Sequence, residues 1–184
     1  LSTHIQDVTS ALEWENLRDV VLVGHSYGGS VVTGVADRAA DRIGSIVYLD
    51  AAVPTSGQSM LDVQPPERRQ GMIDRAASSS GWTLPANSAE YYGVTDKADQ
   101  AWVDSKCTPQ PFATFTQKLI LSDPPAARIA KRLYLLCTNP PLPYMRQFYD
   151  AAVAAGWNTL EIETGHDAMV TEPEALCRIL LEQA

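Results

Sequence analysis

Apolar and polar residues follow one another along the chain with the periods of alternating helices and strands. Residues 2–13 repeat apolar side chains every three or four positions, which predicts an amphipathic helix. Residues 20–23 and 46–49 are short runs rich in β-branched residues and predict buried strands, while residues 26–40 between them return to helical spacing. The first fifty residues therefore predict helix, strand, helix and strand.

The same alternation returns near the end of the chain. Strands are predicted at residues 132–137 and 159–162, with helices at residues 143–155 and from Glu172 onwards. The segment before them, residues 55–130, holds seven of the twelve prolines, so we expect short helices and turns lying over the sheet. Alternating strands and helices predict an α/β fold whose mainly parallel sheet has helices on both faces.

The charge balance excludes some classes of partner. With 14 Lys and Arg against 22 Asp and Glu, the net charge is −8. Nucleic-acid binding depends on basic residues that neutralise phosphates, so we expect no nucleic-acid partner. The most apolar stretch, residues 20–36, is interrupted by polar residues and four glycines and is too short to span a bilayer. We therefore expect no membrane partner either.

The cysteines are few and widely spaced. Cys107, Cys137 and Cys177 form no CxxC pair, and only three histidines accompany them. An odd number of separated thiols fits a reducing compartment, so we expect a cytoplasmic protein. The same spacing predicts no metal site, and we expect no other cofactor.

A turn rich in glycine lies where the first predicted strand ends and the next helix begins. Residues 24–29 read Gly-His-Ser-Tyr-Gly-Gly, and the glycines give the backbone room for a sharp turn that lifts Ser26 clear of the sheet. The backbone N–H of Tyr27 then faces any oxyanion that forms at the helix N-terminus. We predict that Ser26 is a nucleophile and Tyr27 its oxyanion donor. The alternative is a turn in which Ser26 only caps the helix.

A serine nucleophile needs a base, and the chain offers three histidines. His4 lies on the first predicted helix, where a solvated or capping residue is expected. His25 precedes Ser26 in the turn, and we expect its side chain to leave on the other side of the backbone in a structural role. His166 follows the last predicted strand, at the carboxyl edge of the sheet, where active sites collect. We predict that His166 is the base.

These motifs resemble the α/β-hydrolase superfamily, and within it the small bacterial and plant esterases related to hydroxynitrile lyases. The resemblance is carried by the turn at residues 24–29, by the strand and loop at residues 46–54, by Gly57-Gln58-Ser59, and by Gly165-His166-Asp167-Ala168-Met169. It implies a Ser, acid, His triad in that chain order and a cap inserted after the strand that follows the nucleophile helix. Residues 1–54 would then carry the nucleophile elbow of the hydrolase core, residues 55–130 the cap or lid, and residues 131–184 the core segment with the catalytic histidine.

The acid of the triad departs from the usual pattern of the superfamily. Most members place it just after the penultimate strand, but residues 138–143 contain no carboxylate. Some members place it at the end of the strand that follows the nucleophile helix, and that position here is Asp50. An Asp at the end of an apolar parallel strand is costly unless it is paired. The resemblance thus implies Asp50, with Asp167 and Glu163 as alternatives, or with Asp50 only capping its loop.

The resemblance implies a serine hydrolase of the carboxylesterase class that cleaves small esters through an acyl-enzyme on Ser26. Aromatic residues of the cap favour apolar or aromatic substrates; they are Trp82, Tyr91, Tyr92, Trp102, Phe112 and Phe115. A lyase of the hydroxynitrile type is an alternative, although such lyases carry a lysine directly after the catalytic histidine, where this chain has Asp167. A binding module that uses the hydrolase fold without catalysis is the second alternative.

Relatives of this kind have several further strands before the first helix. Those strands include a His-Gly loop whose backbone N–H is the second oxyanion donor, and none of this appears before residues 2–13. The resemblance therefore implies that the N-terminal part of the sheet is absent from this chain, which leaves the strand at residues 20–23 as an apolar edge. We expect a further N-terminal segment, a partner chain or a homo-oligomer to complete the sheet.

Overall fold

The computed structural model describes residues 1–184 and contains six strands, eight α-helices and three short 3-10 helices. The strands are β1 (Val20–His25), β2 (Ile43–Leu49), β3 (Thr83–Leu84), β4 (Gln110–Pro111), β5 (Lys131–Cys137) and β6 (Asn158–Ile162). The helices are α1 (Ser2–Trp14), α2 (Gly28–Arg38), α3 (Pro66–Ser79), α4 (Lys97–Lys106), α5 (Ala113–Thr116), α6 (Arg146–Ala154), α7 (Ala168–Thr171) and α8 (Pro173–Leu181). The four strands predicted from the pattern are all present, each one to three residues longer than expected.

Four of the strands form one parallel sheet in the order β1, β2, β5, β6. The register pairs His25 with Leu49 and Leu49 with Leu135, so the carboxyl ends of β1, β2 and β5 meet at one edge. The loops that leave these strands carry Ser26 and Asp50, and the loop after β6 carries His166. The topology thus collects the three predicted catalytic residues at one edge of the sheet.

Alternation along the strands divides the core between the two faces of the sheet. Ile46, Tyr48 and Tyr134 face the larger apolar cluster, to which α1, α2 and α6 contribute. Leu49 and Leu135 face a smaller cluster completed by α7 and α8. Helices therefore cover both faces, as the alternating pattern predicts.

The first strand is less buried than its apolar run alone predicts, and it lies at the edge of the sheet, as the resemblance implies. In β1, Val20 to Leu22 are half-buried and Val23 is 37% exposed. The physical reason is that no strand pairs with its outer side. The neighbouring face of α8 is also apolar, and Leu181 there is 70% exposed.

The segment between β2 and β5 contains short elements, as its prolines predict. It comprises α3, α4 and α5 together with β3 and β4, which pair antiparallel over two residues each. Backbone hydrogen bonds from Gly57 to Leu119 and from Leu61 to Phe115 join its two ends. No helix of the chain combines the length and the apolar character that a membrane span requires.

Candidate active site

A strained turn between β1 and α2 presents the serine. Ser26 adopts a φ of 55°, a left-handed conformation that is uncommon for residues other than glycine. A Cβ atom at Gly24 would overlap the side chain of Val32, and one at Gly29 would collide with the carbonyl oxygen of Ala52. The glycines on either side of Ser26 therefore permit the close approach of strand and helix that the turn needs.

The hydroxyl of Ser26 and the backbone N–H after it have no hydrogen-bond partner within the chain. The Oγ of Ser26 makes no hydrogen bond and is not sealed from solvent. The backbone N–H of Tyr27 has no acceptor within the chain and lies just before the first residue of α2. An unpaired N–H at the positive end of a helix dipole is a suitable donor for an oxyanion. Burial raises the pKa of the Tyr27 phenol to about 12, so its side chain stays neutral.

His166 and Asp50 form a buried pair. The Nδ1 of His166 lies 2.6 Å from Oδ2 of Asp50, and the two residues are 2% and 0% exposed. Because a carboxylate only accepts hydrogen bonds, Nδ1 of the neutral ring carries the proton and Nε2 keeps its lone pair. Nε2 makes no hydrogen bond with the protein and is not sealed from solvent. The pair has the geometry of a general base and the acid that orients it.

Several backbone contacts hold Asp50 in place. Its φ is 40°, and its N–H donates to the carbonyl of Leu135 over 2.7 Å. The N–H of Cys137 donates to Oδ1 of Asp50 at 3.2 Å, which leaves Oδ2 for the histidine. The hydroxyl of Tyr134 donates to the carbonyl of Ala51 and accepts from its N–H, which clamps the loop directly after Asp50. β5 thus positions the carboxylate although it contributes no catalytic group.

Neither alternative acid contacts the imidazole. The carboxylate of Asp167 makes no hydrogen bond with the His166 ring, and one of its oxygens lies 4.0 Å from Nε2 of His25. Burial raises the pKa of Asp167. Glu163 is exposed. Of the three carboxylates considered, Asp50 is the one that the fold brings to His166.

The two other histidines lie closer to the site than expected. The ring of His25 packs on that of His166, with 4.3 Å between the centroids, and its Nε2 donates to the carbonyl of His166 at 3.0 Å, which fits the structural role expected for His25. The reason is that the loop carrying His166 folds back over the end of β1. Burial, followed by the charge of His166, lowers the pKa of His25 to about 3. His4 is half-buried and bonds the hydroxyl of Tyr27 at 3.0 Å.

Ser26 and His166 lie at the same edge of the sheet without a direct hydrogen bond. The N–H of Ser26 donates to the carbonyl of Leu49, and its carbonyl accepts from the N–H of Ala52. These bonds tie the serine to the loop that begins at Asp50. Serine and base often lack their hydrogen bond in the absence of substrate and form it in the reacting complex.

A cavity of about 230 Å³ opens beside Ser26. Two of the predicted aromatics, Tyr92 and Phe115, line it, and the ring centroid of Tyr92 lies 5.0 Å from that of His166. Trp82 and Trp102 are 82% and 57% exposed and do not form its wall. The other apolar walls come from residues that the sequence did not single out, namely Met60, Met72, Leu84, Tyr144 and Met145.

One group of residues has the composition of a metal site. Ligand atoms of His25, His166 and Asp167 lie within 4.8 Å of one another. The Nε2 of His25 carries the proton that it donates to a backbone carbonyl, so it has no lone pair for a metal. The hydrogen bonds of the two rings explain this group without an ion.

Comparisons with known proteins concern the family and the fold of the chain. Residues 1–179 match the family described as the alpha/beta hydrolase family. The chain is 39% identical to the carbendazim hydrolyzing esterase of Nocardioides sp. (strain SG-4G) over 98% of its own length and 77% of that protein. It is 24% identical to the putative chloroplastic methylesterase 11 of Arabidopsis thaliana, and it spans about half of that protein, 51%.

A solved structure extends the comparison to the fold. An extracellular alpha/beta-hydrolase from a Paenibacillus species superposes with a TM-score of 0.84 at 25% identity, over 98% of this chain and 78% of that one. That hydrolase is described as sharing structural and functional homology with tobacco salicylic acid binding protein 2. A polyneuridine aldehyde esterase variant superposes with a TM-score of 0.64 at 17% identity, over 97% of this chain and 76% of that one.

Proposed function

We propose that this chain, which belongs to the alpha/beta hydrolase family and is a carboxylesterase-like hydrolase, cleaves small carboxylic esters through an acyl-enzyme on Ser26. The observation that carries this proposal is the buried contact of 2.6 Å between His166 and Asp50 at the sheet edge where Ser26 stands in its strained turn. A base oriented in this way, together with a serine hydroxyl that is open to solvent and a free backbone N–H at the same sheet edge, provides the groups that acyl transfer requires.

The proposed reaction has two stages. Ser26 Oγ attacks the ester carbonyl while His166 Nε2 accepts its proton, and the N–H of Tyr27 donates to the oxyanion of the tetrahedral intermediate. The intermediate collapses, the C–O bond to the alcohol breaks, and His166 returns the proton to the leaving alcohol. Water then attacks the acyl-enzyme with His166 again as base. Asp50 keeps the proton on Nδ1 and stabilises the imidazolium in both stages.

The substrate is proposed to place an apolar or aromatic group next to the scissile ester. The aromatic and thioether side chains that line the cavity support this, and Tyr92 would pack beside the reacting carbonyl. The names of two relatives, a carbendazim hydrolyzing esterase and a methylesterase, favour small esters with a small alcohol. The position directly after His166, where hydroxynitrile lyases carry a lysine, is occupied by Asp167, and its negative charge disfavours a lyase that holds cyanide beside the base.

Two further proposals concern the organisation of the chain. Residues 55–130 act as a cap, because they supply most of the cavity wall opposite Ser26. The free edge of β1 and the apolar face of α8 beside it accept a further strand, from another segment or a partner chain, because unpaired edge groups and exposed apolar surface favour association.

The proposed function is tested by hydrolysis of methyl butyrate and methyl benzoate, monitored as the acid released at constant pH. We expect turnover by the protein and at least a thousandfold loss in Ser26→Ala, which removes the attacking oxygen. Release of cyanide from mandelonitrile without ester hydrolysis would instead assign a lyase. Absence of both activities from the folded protein would leave a binding module and overturn the proposal.

A further inference from the structure

Two arginines of α3 line the cavity that holds Ser26. Arg68 and Arg75 are seven residues apart, so two helical turns place them on one face of α3. Neither guanidinium pairs with a carboxylate, and the 18 residues that line the cavity include no Asp or Glu. In a chain of net charge −8, the wall of this one cavity carries two unpaired positive charges.

Neutral partners fix Arg68 in position. Its Nε donates to Gln64 at 2.8 Å, its Nη1 donates to the hydroxyl of Tyr91 at 2.7 Å, and its guanidinium carbon lies 3.8 Å from the ring centroid of Tyr144. Nη2 makes no hydrogen bond with the protein and is not sealed from solvent. The side chain is therefore held by neutral groups while part of its donor capacity stays open.

Arg75 is held in the same way and connects to the catalytic edge. Its Nη1 donates to Asn87 Oδ1 and its Nη2 to the carbonyl of Pro85, each at 2.7 Å, while its Nε makes no hydrogen bond. The Nδ2 of Asn87 donates in turn to the hydroxyl of Tyr92 at 3.0 Å. The ring of Tyr92 packs on His166. Asn87 is therefore the one residue between the Arg75 guanidinium and the aromatic ring beside the proposed base.

A half-buried guanidinium held by neutral groups favours an anion more strongly than a solvated one. Its side chain is already ordered and partly removed from water, so a bound carboxylate gains charge-assisted hydrogen bonds at little further cost in entropy. Met72, which lies between the two arginines on α3, also lines the cavity. The wall thus alternates positive and apolar groups.

Resting on the proposed esterase function, we propose that Arg68 and Arg75 form an anion subsite, and that the substrates are esters with a carboxylate at the end remote from the scissile bond. An apolar spacer lies along Met72 and the aromatic wall, and the carboxylate reaches the guanidinium groups. This subsite contributes to binding and takes no part in the chemical step, so its effect falls on KM.

A substrate series tests the subsite. The probes are methyl esters whose far end carries a carboxylate, a primary amide or an ammonium group, each with two, four or six methylene groups as spacer. We expect kcat/KM to be about 10- to 100-fold higher for the carboxylate than for the amide at one or more lengths, the range that a charge-assisted hydrogen bond gives. The ammonium ester is expected to be the poorest substrate.

Variants assign the preference to the two arginines. In Arg68→Gln/Arg75→Gln the ratio of carboxylate to amide ester falls towards one, through a higher KM for the carboxylate ester, and the single variants show which arginine contributes more. The matched control is Arg69→Gln: Arg69 neighbours Arg68 on α3, but it donates to the carbonyls of Leu61 and Asp62 and does not line the cavity. It should keep the ratio of the unaltered protein.

The outcomes separate this inference from the proposed function. Hydrolysis of all the esters without a preference for the carboxylate overturns the subsite and leaves the esterase intact. A preference that persists in the double variant, or that falls equally in Arg69→Gln, also overturns it. If neither these esters nor methyl butyrate is hydrolysed, the proposed function fails and the subsite fails with it. The comparison of substrates uses the unaltered protein alone. It can therefore overturn the subsite even if the double variant folds poorly.

Discussion

Replacing Asp50 by Asn removes the carboxylate beside His166 with little change in side-chain volume. The amide oxygen can still accept from the N–H of Cys137, as Oδ1 of Asp50 does. The amide nitrogen then faces Nδ1 of His166 and donates to it, which moves the ring proton to Nε2. A ring protonated at Nε2 cannot accept the proton of Ser26, so the base is lost while the fold is retained.

The expected loss of kcat follows from the charge interaction between Asp50 and the His166 imidazolium. Two unit charges about 4 Å apart at an effective dielectric of about 20 interact by about 4 kcal/mol, which is about a thousandfold in rate. The wrong tautomer adds to this, and the same substitution in serine proteases costs about 10⁴ in kcat. Because His166 and Asp50 are 2% and 0% exposed, solvent does little to replace the lost charge. We expect Asp50→Asn to lower kcat by about 10³ to 10⁴.

The assay is kcat for 4-nitrophenyl butyrate, with the thermal unfolding temperature as a check on folding. The matched control is Asp167→Asn, since Asp167 neighbours His166 in the chain but makes no hydrogen bond with its ring. That variant should stay within about tenfold of the unaltered protein. A folded Asp50→Asn that keeps turnover within tenfold, or an Asp167→Asn that loses as much, would refute the assignment of Asp50.

Two further predictions concern the turn and its histidine. Gly29→Ala places a Cβ against the carbonyl oxygen of Ala52 and should lower the free energy of unfolding by about 1 to 3 kcal/mol. The control Gly28→Ala, whose Cβ meets nothing within 4 Å, should change that free energy by less than about 1 kcal/mol. Equal losses in the two variants, measured by urea unfolding, would contradict the packing argument. The lowered pKa of His25, about 3 in the folded protein, means that the unfolded chain binds a proton that the folded one excludes. Its contribution to stability is therefore complete above pH 6.5 and falls as the pH drops towards 3, by up to about 1.4 kcal/mol per pH unit. Urea unfolding between pH 6.5 and 5 should show a shallower pH dependence in His25→Gln, and an unchanged slope would count against a buried neutral ring.

The order of strands and helices could be predicted because it depends on local patterns. Apolar runs mark the strands of the sheet, and helical spacing marks the helices between them. The burial of β1 could not be predicted from its residues alone, since a run such as Val20 to Val23 looks the same in the centre of a sheet and at its edge. Only the pairing order of the strands decides between the two.

In the candidate site, too, the residues with a local sequence signature could be predicted from local patterns and those that depend on long-range contacts could not. Ser26 stands out because its turn has a local signature of glycines between a strand and a helix. Asp50 has no such signature: its role depends on β2 lying beside β5 and on a loop that returns His166 over the strand ends. The packing of His25 on His166 could not be predicted for the same reason, because it depends on a contact between residues 141 positions apart.

The cavity wall was the least accessible to sequence reasoning. An arginine on an amphipathic helix is expected to face solvent, and nothing local distinguishes Arg68 and Arg75 from Arg69. The packing of α3 places the first two in the wall of the cavity that Ser26 also lines, and leaves the third bonded to the carbonyls of Leu61 and Asp62.

The central claim, that Ser26 is an activated nucleophile, is tested most directly by labelling with a fluorophosphonate. Such a probe phosphonylates a serine only where a neighbouring base and an oxyanion donor activate it. Mass spectrometry of the digested protein should find the adduct on Ser26, and labelling should disappear in Ser26→Ala and slow by orders of magnitude in His166→Gln. An unlabelled, folded protein, or an adduct on another residue, would contradict the account.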